Sequence, residues 1–235
     1  MSVIWNAIVE AVGLLGTGAV GVWEIIGLSL RVSGVSLLIA MAVGIPLGYV
    51  IGARRFAGRR LLMILVNTGM GLPPVVAGLI VYMFLSRSGP LGSLQLLFTV
   101  PAMIIAQFLI ATPLVTGVTA AAIGSIPMEL RLQARSLGAS AFHEALLVLK
   151  EARRGVMSAV VAGFGGIISE VGAVMIVGGN VEHSTRVMTT AIVLEARKGN
   201  FGMALALGFI LIGISFAINN GLTALQQSGG RYERQ

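Results

Sequence analysis

The sequence has 235 residues, of which 56% are hydrophobic and 11% are charged, against roughly 25% charged in an ordinary soluble domain. The mean hydropathy is +0.95, and 16 Lys and Arg outnumber 9 acidic residues, all of them Glu. The lack of Asp and Cys excludes a Ser-His-Asp triad, an aspartyl phosphate, a thiol nucleophile and a disulfide. This composition predicts an integral membrane protein.

Uncharged apolar segments predict five membrane-spanning helices, because about 20 residues at a rise of 1.5 Å cross a hydrocarbon core about 30 Å thick. In chain order, the predicted spans are residues 32–52, 61–86, 97–123, 155–181 and 203–219. The fourth contains one charged residue, Glu170. We therefore expect an all-α integral membrane protein that forms a single domain over residues 1–235.

The N-terminal segment, residues 1–22, leaves two structures open. Residues 3–15 are apolar except for Glu10, and glycines follow at positions 16, 18 and 21. We favour an interfacial helix with Trp5 at the membrane boundary over a sixth span. No basic n-region precedes the apolar residues, so a cleavable signal peptide is not expected.

Basic residues predict the orientation of the spans. Eleven of the 16 lie on one side, in residues 53–60, 131–154 and 231–234, and five lie on the other side or at the mouth of the first span. Since cytoplasmic loops are enriched in Lys and Arg, the larger group is placed in the cytoplasm. The C-terminus is then cytoplasmic, and with five spans the N-terminus is outside.

The longest polar segment, residues 127–154, predicts two short amphipathic helices hinged at Gly138. In the second helix, Ser140 is the expected N-cap and Glu144 lies in the first turns. Two interpretations remain open: a basic loop on the lipid headgroups, or a hydrophobic corner that docks into a soluble partner. In the first helix, Arg131 and Arg135 are displaced from a predicted apolar face formed by Leu130, Ala134 and Leu137. The apolar residues of the second helix are Phe142, Ala145, Leu146 and Leu149.

Residues 133–140 (QARSLGAS), about fifteen residues before a new span, resemble the cytoplasmic coupling motif of ABC importer permeases. That motif reads Glu-Ala-Ala, three residues, Gly, nine residues, then Ile-x-Leu-Pro. With Gly138 aligned, residues 132–134 fall on the Glu-Ala-Ala and Val148 falls on the Ile. The final Ala of the triplet, the Gly and the spacing match, whereas the leading Glu and the Leu-Pro do not.

Other stretches resemble oxyanion permeases more specifically. Residues 71–78 (GLPPVVAG) are similar to a Pro-Pro-Val-Val-Ala-Gly stretch of the molybdate and tungstate type. Residues 169–180 (SEVGAVMIVGGN) and 185–192 (TRVMTTAI) are closer still to permeases of the tungstate type. The resemblance extends over about residues 29–219, which is most of the chain.

The resemblance implies a type I ABC importer permease (MetI-like) core with a cytoplasmic coupling helix pair at residues 129–150. It also implies a homodimer in a prokaryotic cell (inner or plasma) membrane, two cytoplasmic ATPase subunits and an extracytoplasmic oxyanion-binding protein. The sequence contains no G-x-x-x-x-G-K-[ST] loop, so ATP and Mg²⁺ are expected on the ATPase. We expect no catalysis, cofactor or metal on this chain, and no nucleic-acid partner.

The resemblance and the physical features of the sequence together lead us to expect two sets of site residues. Those expected at the ATPase-coupling interface are Glu129, Arg131, Gln133, Ala134, Arg135, Leu137, Gly138, Ala139, Ser140 and Phe142. Those expected to line or gate the translocation pathway are Pro73, Pro74, Glu170, Gly178, Gly179, Asn180, Thr185, Arg186, Thr189 and Thr190.

Two of the pathway features also have structural interpretations. An ionisable side chain at the bilayer centre costs roughly 2.5–3.5 kcal/mol, and Glu170 would repel a dianion such as tungstate or molybdate. We therefore favour a structural or gating Glu170, held by a hydrogen bond or a cation from a neighbouring helix, over a residue of the pathway itself. Pro73 and Pro74 interrupt the second span, either as a simple bend or as a gateable kink.

The outer loop, residues 180–199, is predicted to contain a short helix near residues 187–195. One interpretation is that its donors meet an oxyanion arriving from outside, with help from the partial charge of the helix N-terminus. The other is an amphipathic helix that only plugs the vestibule. The donors concerned are Thr185, Arg186, Thr189 and Thr190.

Two remaining features are assigned structural roles. His143 and His183 lack the spacing of metal ligands and are expected at the surface. The fourth span has small residues four apart, which allow close helix packing within the chain or against a second copy. These residues are Ala159 and Gly163, and the offset pair Ala162 and Gly166.

We therefore expect a membrane subunit of an ATP-driven importer of a tetrahedral oxyanion, with tungstate favoured and molybdate or vanadate left open. Two other classes are alternatives. An ATP-independent anion channel or carrier would have no use for a docking corner, and a membrane scaffold without transport would not need the donors of the outer loop.

Overall fold

The structure is a computed structural model that describes residues 2–16 and 20–228. Within these ranges the regular structure is helical throughout, as predicted. The α-helices are α1 (Ser2–Gly16), α2 (Val20–Ala53), α3 (Arg59–Met70), α4 (Pro74–Leu85), α5 (Val100–Gly124), α6 (Met128–Ser136), α7 (Ala141–Glu151), α8 (Arg153–Ile168), α9 (Gly172–Gly178), α10 (Met188–Arg197) and α11 (Phe201–Ser228). A single 3-10 turn, Gly92–Leu94, lies between α4 and α5.

Among the described residues, α2, α5 and α11 are each long and apolar enough to cross a membrane alone. Two bent pairs have this length and composition only when their members are taken together: α3 with α4, at an angle of 104°, and α8 with α9, at 57°. The prediction of five spans is therefore confirmed when each bent pair counts as one. The structure differs from the prediction in its sharp breaks and in α2, which begins at Val20 instead of near residue 32.

The helices α2 and α5 pack along a row of glycines, Gly44, Gly48 and Gly52. A Cβ atom added at Gly48 would lie 2.7 Å from the backbone oxygen of Thr116, and one at Gly52 would lie 2.6 Å from that of Ala120. Small residues four apart let two helix backbones approach this closely. Our sequence analysis missed this row, although its spacing is visible in the sequence.

Helix α8 packs against both α2 and α5. Ala159 and Gly163 face inward, and a Cβ added at Gly163 would lie 2.9 Å from Cγ2 of Val115. The offset residues Ala162 and Gly166 are exposed, and no atom lies within 4 Å of a Cβ built at Gly166. The predicted small-residue pattern thus has one face that packs within this chain and one face that is open.

The N-terminal helix α1 packs beside α11. Ala11 is buried in an apolar cluster with Val22 and Ile26 of α2 and Leu207 of α11. The 15 residues of α1 give a length of about 22 Å, and Trp5 is 66% exposed. The interfacial placement of α1 stays a prediction, and the basic residues of the C-terminal tail lie outside the described residues.

Candidate functional site

The longest polar segment folds as the sequence predicts, into α6 and α7 joined at Gly138. Gly138 has a φ of +82°, in the left-handed region that favours glycine. Ser140 is the N-cap of α7, where its Oγ accepts a hydrogen bond of 3.3 Å from the backbone N–H of His143. We call α6, α7 and the residues between them the corner.

An ion pair joins the two helices of the corner. Arg135 donates from Nε to Oε2 of Glu144 at 2.7 Å and from Nη2 to Oε1 at 3.2 Å. The hydrogen bond and the charge of Glu144 raise the pKa of Arg135. Because a bidentate pair of this kind fixes the orientation of both groups, it holds α6 and α7 at a defined angle.

Apolar side chains at the tip of the corner are exposed. Leu137 is 87% exposed and Phe142 is 68% exposed. The prediction that Leu137 lies on one helix face with Leu130 and Ala134 is wrong, because α6 ends at Ser136 and Leu137 is the exposed residue that follows it. An exposed apolar surface of this kind is typical of an interaction site, which favours docking over a simple loop.

Arg131 corrects a second prediction. Instead of lying at the surface of the corner, its side chain is 6% exposed and faces the membrane helices. Its Nη1 donates to the carbonyl of Ala53 at the end of α2 (2.7 Å), and its Nη2 donates to that of Ile123 near the end of α5 (3.1 Å). The corner therefore lies at the end of the bundle that also carries the basic residues 53–60.

Of the other predicted contact residues, Ala134 is buried, Ala139 is partly buried, and Glu129 and Gln133 are exposed.

The second span breaks completely between α3 and α4, where the sequence predicts an interruption. Gly71 ends α3, and its N–H donates to the carbonyls of Asn67 and Thr68. Pro73 is the N-cap of α4 and Pro74 its first residue, a position where the missing proline N–H has no helical partner to lose. The 104° change of direction is larger than the kink expected from the two prolines.

The break between α8 and α9 is bridged by hydrogen bonds from polar groups of three other segments. Glu170 is 8% exposed, and its Oε1 accepts a hydrogen bond of 3.0 Å from the backbone N–H of Ala173 in the first turn of α9. Gln107 of α5 donates to the carbonyl of Ile167, and Thr189 of α10 donates to that of Glu170, both at 2.9 Å. Such partners make a helix break tolerable at membrane depth. Glu170 is held by a hydrogen bond, as expected, but the donor is a backbone N–H three residues later and not a group or a cation from a distant helix. Its gating role stays a prediction.

Gln107 is a residue that our sequence analysis missed. It is 4% exposed, and its Oε1 has no hydrogen-bond partner among the described residues. The available signal was an amide in the middle of an apolar predicted span, since polar side chains within spans usually bond across helices.

The helices that follow the two breaks, α4 and α9, pack directly on each other. A Cβ added at Gly78 would lie 2.6 Å from the Cα of Ala173, and one at Gly172 would lie 2.6 Å from Cγ2 of Val75. Contacts this close leave little freedom for one helix to slide on the other. We call α4 and α9 the half-helix pair, and both of its members begin at a break.

The threonines of the outer loop and α10 are buried and use their hydroxyl hydrogens within the chain. Thr185 donates to the carbonyl of Gly178 and Thr190 donates to that of Val187, while Thr189 donates at the α8–α9 break as described. Of the two interpretations of the outer loop, this argues against the one in which the three hydroxyls donate to an oxyanion. The short helix itself is confirmed as α10.

The N-terminus of α10 is also occupied, since the N–H of Met188 donates to Oγ of Ser29 at 2.8 Å. Arg186 forms an ion pair with Glu182 at 3.0 Å, and its buried Nε has no partner among the described residues. Oδ1 of Asn180 is likewise buried without a partner. Arg186 and Asn180 are therefore the predicted outer-loop residues that retain an unused polar atom.

The glycines that end α9 are required for packing. Gly179 has a φ of +71°, and a Cβ added there would lie 2.7 Å from the ring of Phe98. A Cβ added at Gly178 would lie 3.0 Å from the side chain of Met103. Their position at the C-terminal end of α9 is compatible with a pathway role, which stays a prediction.

Both histidines are exposed, as expected. His143 Nδ1 lies 2.8 Å from Oγ of Ser140, and His183 Nδ1 lies 2.8 Å from Oε2 of Glu24. The hydrogen bond that His183 donates to the carboxylate of Glu24, together with the charge of that carboxylate, raises the pKa of His183. Across the described ranges, no group of three His, Cys, Asp or Glu side chains could hold a metal ion.

Comparison with known proteins relates this arrangement to transporters. Residues 44–228 match the family described as "binding-protein-dependent transport system inner membrane component". A probable anion ABC transporter permease of Haloferax volcanii is 44% identical, covering 83% of this chain and 87% of its own. A tungstate uptake system permease of Peptoclostridium acidaminophilum is also 44% identical, over 88% and 90%. A chain of a bacterial alginate ABC transporter shares the fold, with a TM-score of 0.74, 21% identity and coverage of 88% of this chain and 79% of that one.

Proposed function

The chain belongs to the family of binding-protein-dependent transport system inner membrane components, and on this premise we propose that it is the membrane-spanning subunit of an ATP-driven tungstate importer. The choice of tungstate as the substrate is supported by the sequence identity to a tungstate uptake permease over nearly the full length of both chains. The identity to an anion permease supports the wider class of oxyanions. The resemblance to oxyanion permeases noted in the sequence is confirmed by these relatives.

The importer that we propose contains two copies of this chain, two cytoplasmic ATPase subunits and an extracytoplasmic oxyanion-binding protein. The open face of α8 supports a second copy, because Ala162 and Gly166 are small enough for another helix to approach closely. ATP and Mg²⁺ belong to the ATPase subunits in this proposal. The permease contributes the pathway and no catalytic residue, with the corner in the cytoplasm of a prokaryotic cell.

The corner is the proposed contact with the ATPase. Its exposed tip, Leu137 and Phe142, fits an apolar cleft, and the pair of Arg135 and Glu144 keeps the tip from collapsing. When two ATPase subunits close on ATP, the two corners are drawn together. A rigid displacement of this kind is a common form of switching between two conformations.

The half-helix pair is the proposed gate. Because α4 and α9 are in close contact and both begin at a break, they can rotate as a unit without disrupting the helices before the breaks. Glu170 supports this motion because its carboxylate stays hydrogen-bonded to the N–H of Ala173 in the first turn of α9. We therefore assign a hinge role to Pro73, Pro74 and Glu170 and not a role as anion ligands.

The remaining donors fit a pathway that binds the anion weakly. Arg186 retains a positive charge and an unused Nε near the outer end of α9, although its pairing with Glu182 reduces its attraction for an anion. A conduit must bind its substrate strongly enough to admit it and weakly enough to release it. Selectivity for tungstate is then assigned to the binding protein, with Arg186 and Asn180 as contacts during entry.

Copurification and transport test this proposal together. The tagged permease, coexpressed with the ATPase and purified in mild detergent, should recover the ATPase. Proteoliposomes of the complex, supplied with tungstate-loaded binding protein on the outer face, should accumulate tungstate only with ATP on the ATPase side. Accumulation of tungstate without ATP would identify a channel or carrier. If the ATPase is not recovered and no tungstate accumulates, the chain is a scaffold. Stronger ATP-dependent uptake of molybdate than of tungstate would overturn the choice of substrate.

A further inference from the structure

The environment of Arg131 is unusual for a residue in a cytoplasmic segment. Its guanidinium group is buried, and its two Nη atoms bind the carbonyls of Ala53 and Ile123. Carbonyls in the last turn of a helix lack intrahelical donors, and the negative end of the helix dipole attracts a cation. The carbonyl of Ile123 also accepts a hydrogen bond of 3.2 Å from the N–H of Ile126, so Arg131 adds a second donor there and bridges the cytoplasmic ends of α2 and α5.

These two helix ends belong to one tightly packed body. At Gly52, an added Cβ would lie 2.6 Å from the carbonyl oxygen of Ala120 and 2.8 Å from Cβ of Ile123. Arg59 reinforces the end of α2 by donating from Nε to the carbonyl of Ile51 at 2.7 Å. Arg131 thus contacts a helix pair that moves as a unit, instead of the frayed end of a single helix.

On the side of the corner, Arg131 lies one turn before Arg135 in α6, and Arg135 binds Glu144 of α7. Among the described side-chain hydrogen bonds, those of Arg131 are the ones that join α6 to the membrane helices. Two arginines one turn apart on α6 therefore link this helix to α7 on one side, through Arg135, and to the α2–α5 pair on the other, through Arg131. The buried Nε of Arg131 has no hydrogen-bond partner within the described part of the chain, which is a cost that a purely apolar contact would avoid.

We infer that Arg131 is a positioning residue for energy coupling, which transmits displacement of the corner to the α2–α5 pair. This inference rests on the proposed function, in which the ATPase moves the corner. A methionine at this position fills a similar volume but cannot hold the two carbonyls. A lysine keeps the charge and can reach one carbonyl, but it cannot bridge both as the planar guanidinium does.

The test compares Arg131→Met and Arg131→Lys with Arg55→Met, a matched loss of an exposed Arg near the end of α2. Each variant is purified with the ATPase and reconstituted, and tungstate uptake is measured per ATP hydrolysed. We expect both Arg131 variants to retain the ATPase. The uptake per ATP should fall about ten-fold or more for Arg131→Met, within the range typical of coupled sites, with an intermediate value for Arg131→Lys. Arg55→Met should behave as the wild type.

Two results would overturn the inference. One is an uptake of tungstate per ATP in Arg131→Met equal to that of the wild type. If the methionine variant does not reach the membrane, the same result in Arg131→Lys would overturn the inference. The other is loss of both Arg131 variants from the membrane, which would make Arg131 a folding residue only. Failure of the wild-type chain to recover an ATPase or to transport tungstate would instead refute the proposed function.

Discussion

The contact between α2 and α5 makes a quantitative prediction about Gly48. In Gly48→Ala, the new Cβ would lie 2.7 Å from the carbonyl oxygen of Thr116 and 2.7 Å from Cβ of Thr119. Ordinary contacts between carbon atoms lie at about 3.5–4.0 Å, so the helices must separate locally by roughly 0.8 Å or more. Overpacking of this kind costs about 1–3 kcal/mol.

Gly34→Ala is the matched control, because Gly34 lies in the same helix and no atom is within 4 Å of a Cβ built there. Both variants gain the higher helix propensity of Ala, about 0.8–1.0 kcal/mol. That gain cancels when they are compared, so Gly48→Ala should be less stable than Gly34→Ala by the steric cost alone, about 1–3 kcal/mol.

The measurement is reversible unfolding of the purified permease in mixed detergent micelles of increasing denaturing strength, followed by helical circular dichroism. The wild type and both variants are compared under the same conditions. Neutral substitutions usually change the free energy of unfolding by less than about 0.5 kcal/mol. A difference smaller than this between the two alanine variants would refute the argument that the backbones of α2 and α5 touch at Gly48.

Three further predictions concern the corner, the second break and the outer loop. In Gly138→Val, a β-branched residue must adopt a φ of +82°, which is strongly disfavoured. We expect normal abundance in the membrane but a lower ratio of tungstate uptake to ATP hydrolysis. Loss of the protein from the membrane would instead indicate that Gly138 has a folding role. In Glu170→Gln, the amide oxygen can still accept the hydrogen bond from the N–H of Ala173, so we expect the complex to assemble but to show altered gating. Transport and coupling equal to those of the wild type would contradict the hinge role of Glu170. Because the carboxylate of Glu24 raises the pKa of His183, their pairing should stabilise the fold fully below the ordinary pKa of 6.5 and progressively less as the pH rises through the raised value. The Tm of the wild type should therefore exceed that of His183→Gln at pH 5.5 by more than at pH 8.5, and a difference independent of pH would exclude this contribution.

Local patterns in the sequence predicted the spans and the corner because those patterns determine local structure. Charge-free segments indicate what can lie in hydrocarbon, and the sequence around Gly138 and Ser140 contains a hinge and a helix cap. The break at Pro74 was also visible, because proline cannot continue a helix. Its 104° angle was not, since that angle depends on the packing of α4 against α9.

The errors arose where distant residues determine the environment. Arg131 was placed off the apolar face of its helix because it is charged, but its environment is set by the end of α2, 78 residues earlier in the chain. The break between α8 and α9 contains no proline, and it depends on Gln107 and Thr189 from other helices. Thr190 is a different case, because a threonine that bonds to a backbone group a few residues away is a known local alternative that we did not consider.

The contact at Gly78 determines which sequence changes the permease can tolerate. At Gly69, an added Cβ would meet the side chain of Pro113 at 2.7 Å, so a smaller residue at position 113 could relieve the clash. At Gly78, the nearest atom is the Cα of Ala173, which every amino acid has. No substitution at position 173 can therefore make room for a side chain at position 78. Mutational scanning should find that Gly69 can be exchanged together with a second change, whereas Gly78 cannot be rescued at its partner position.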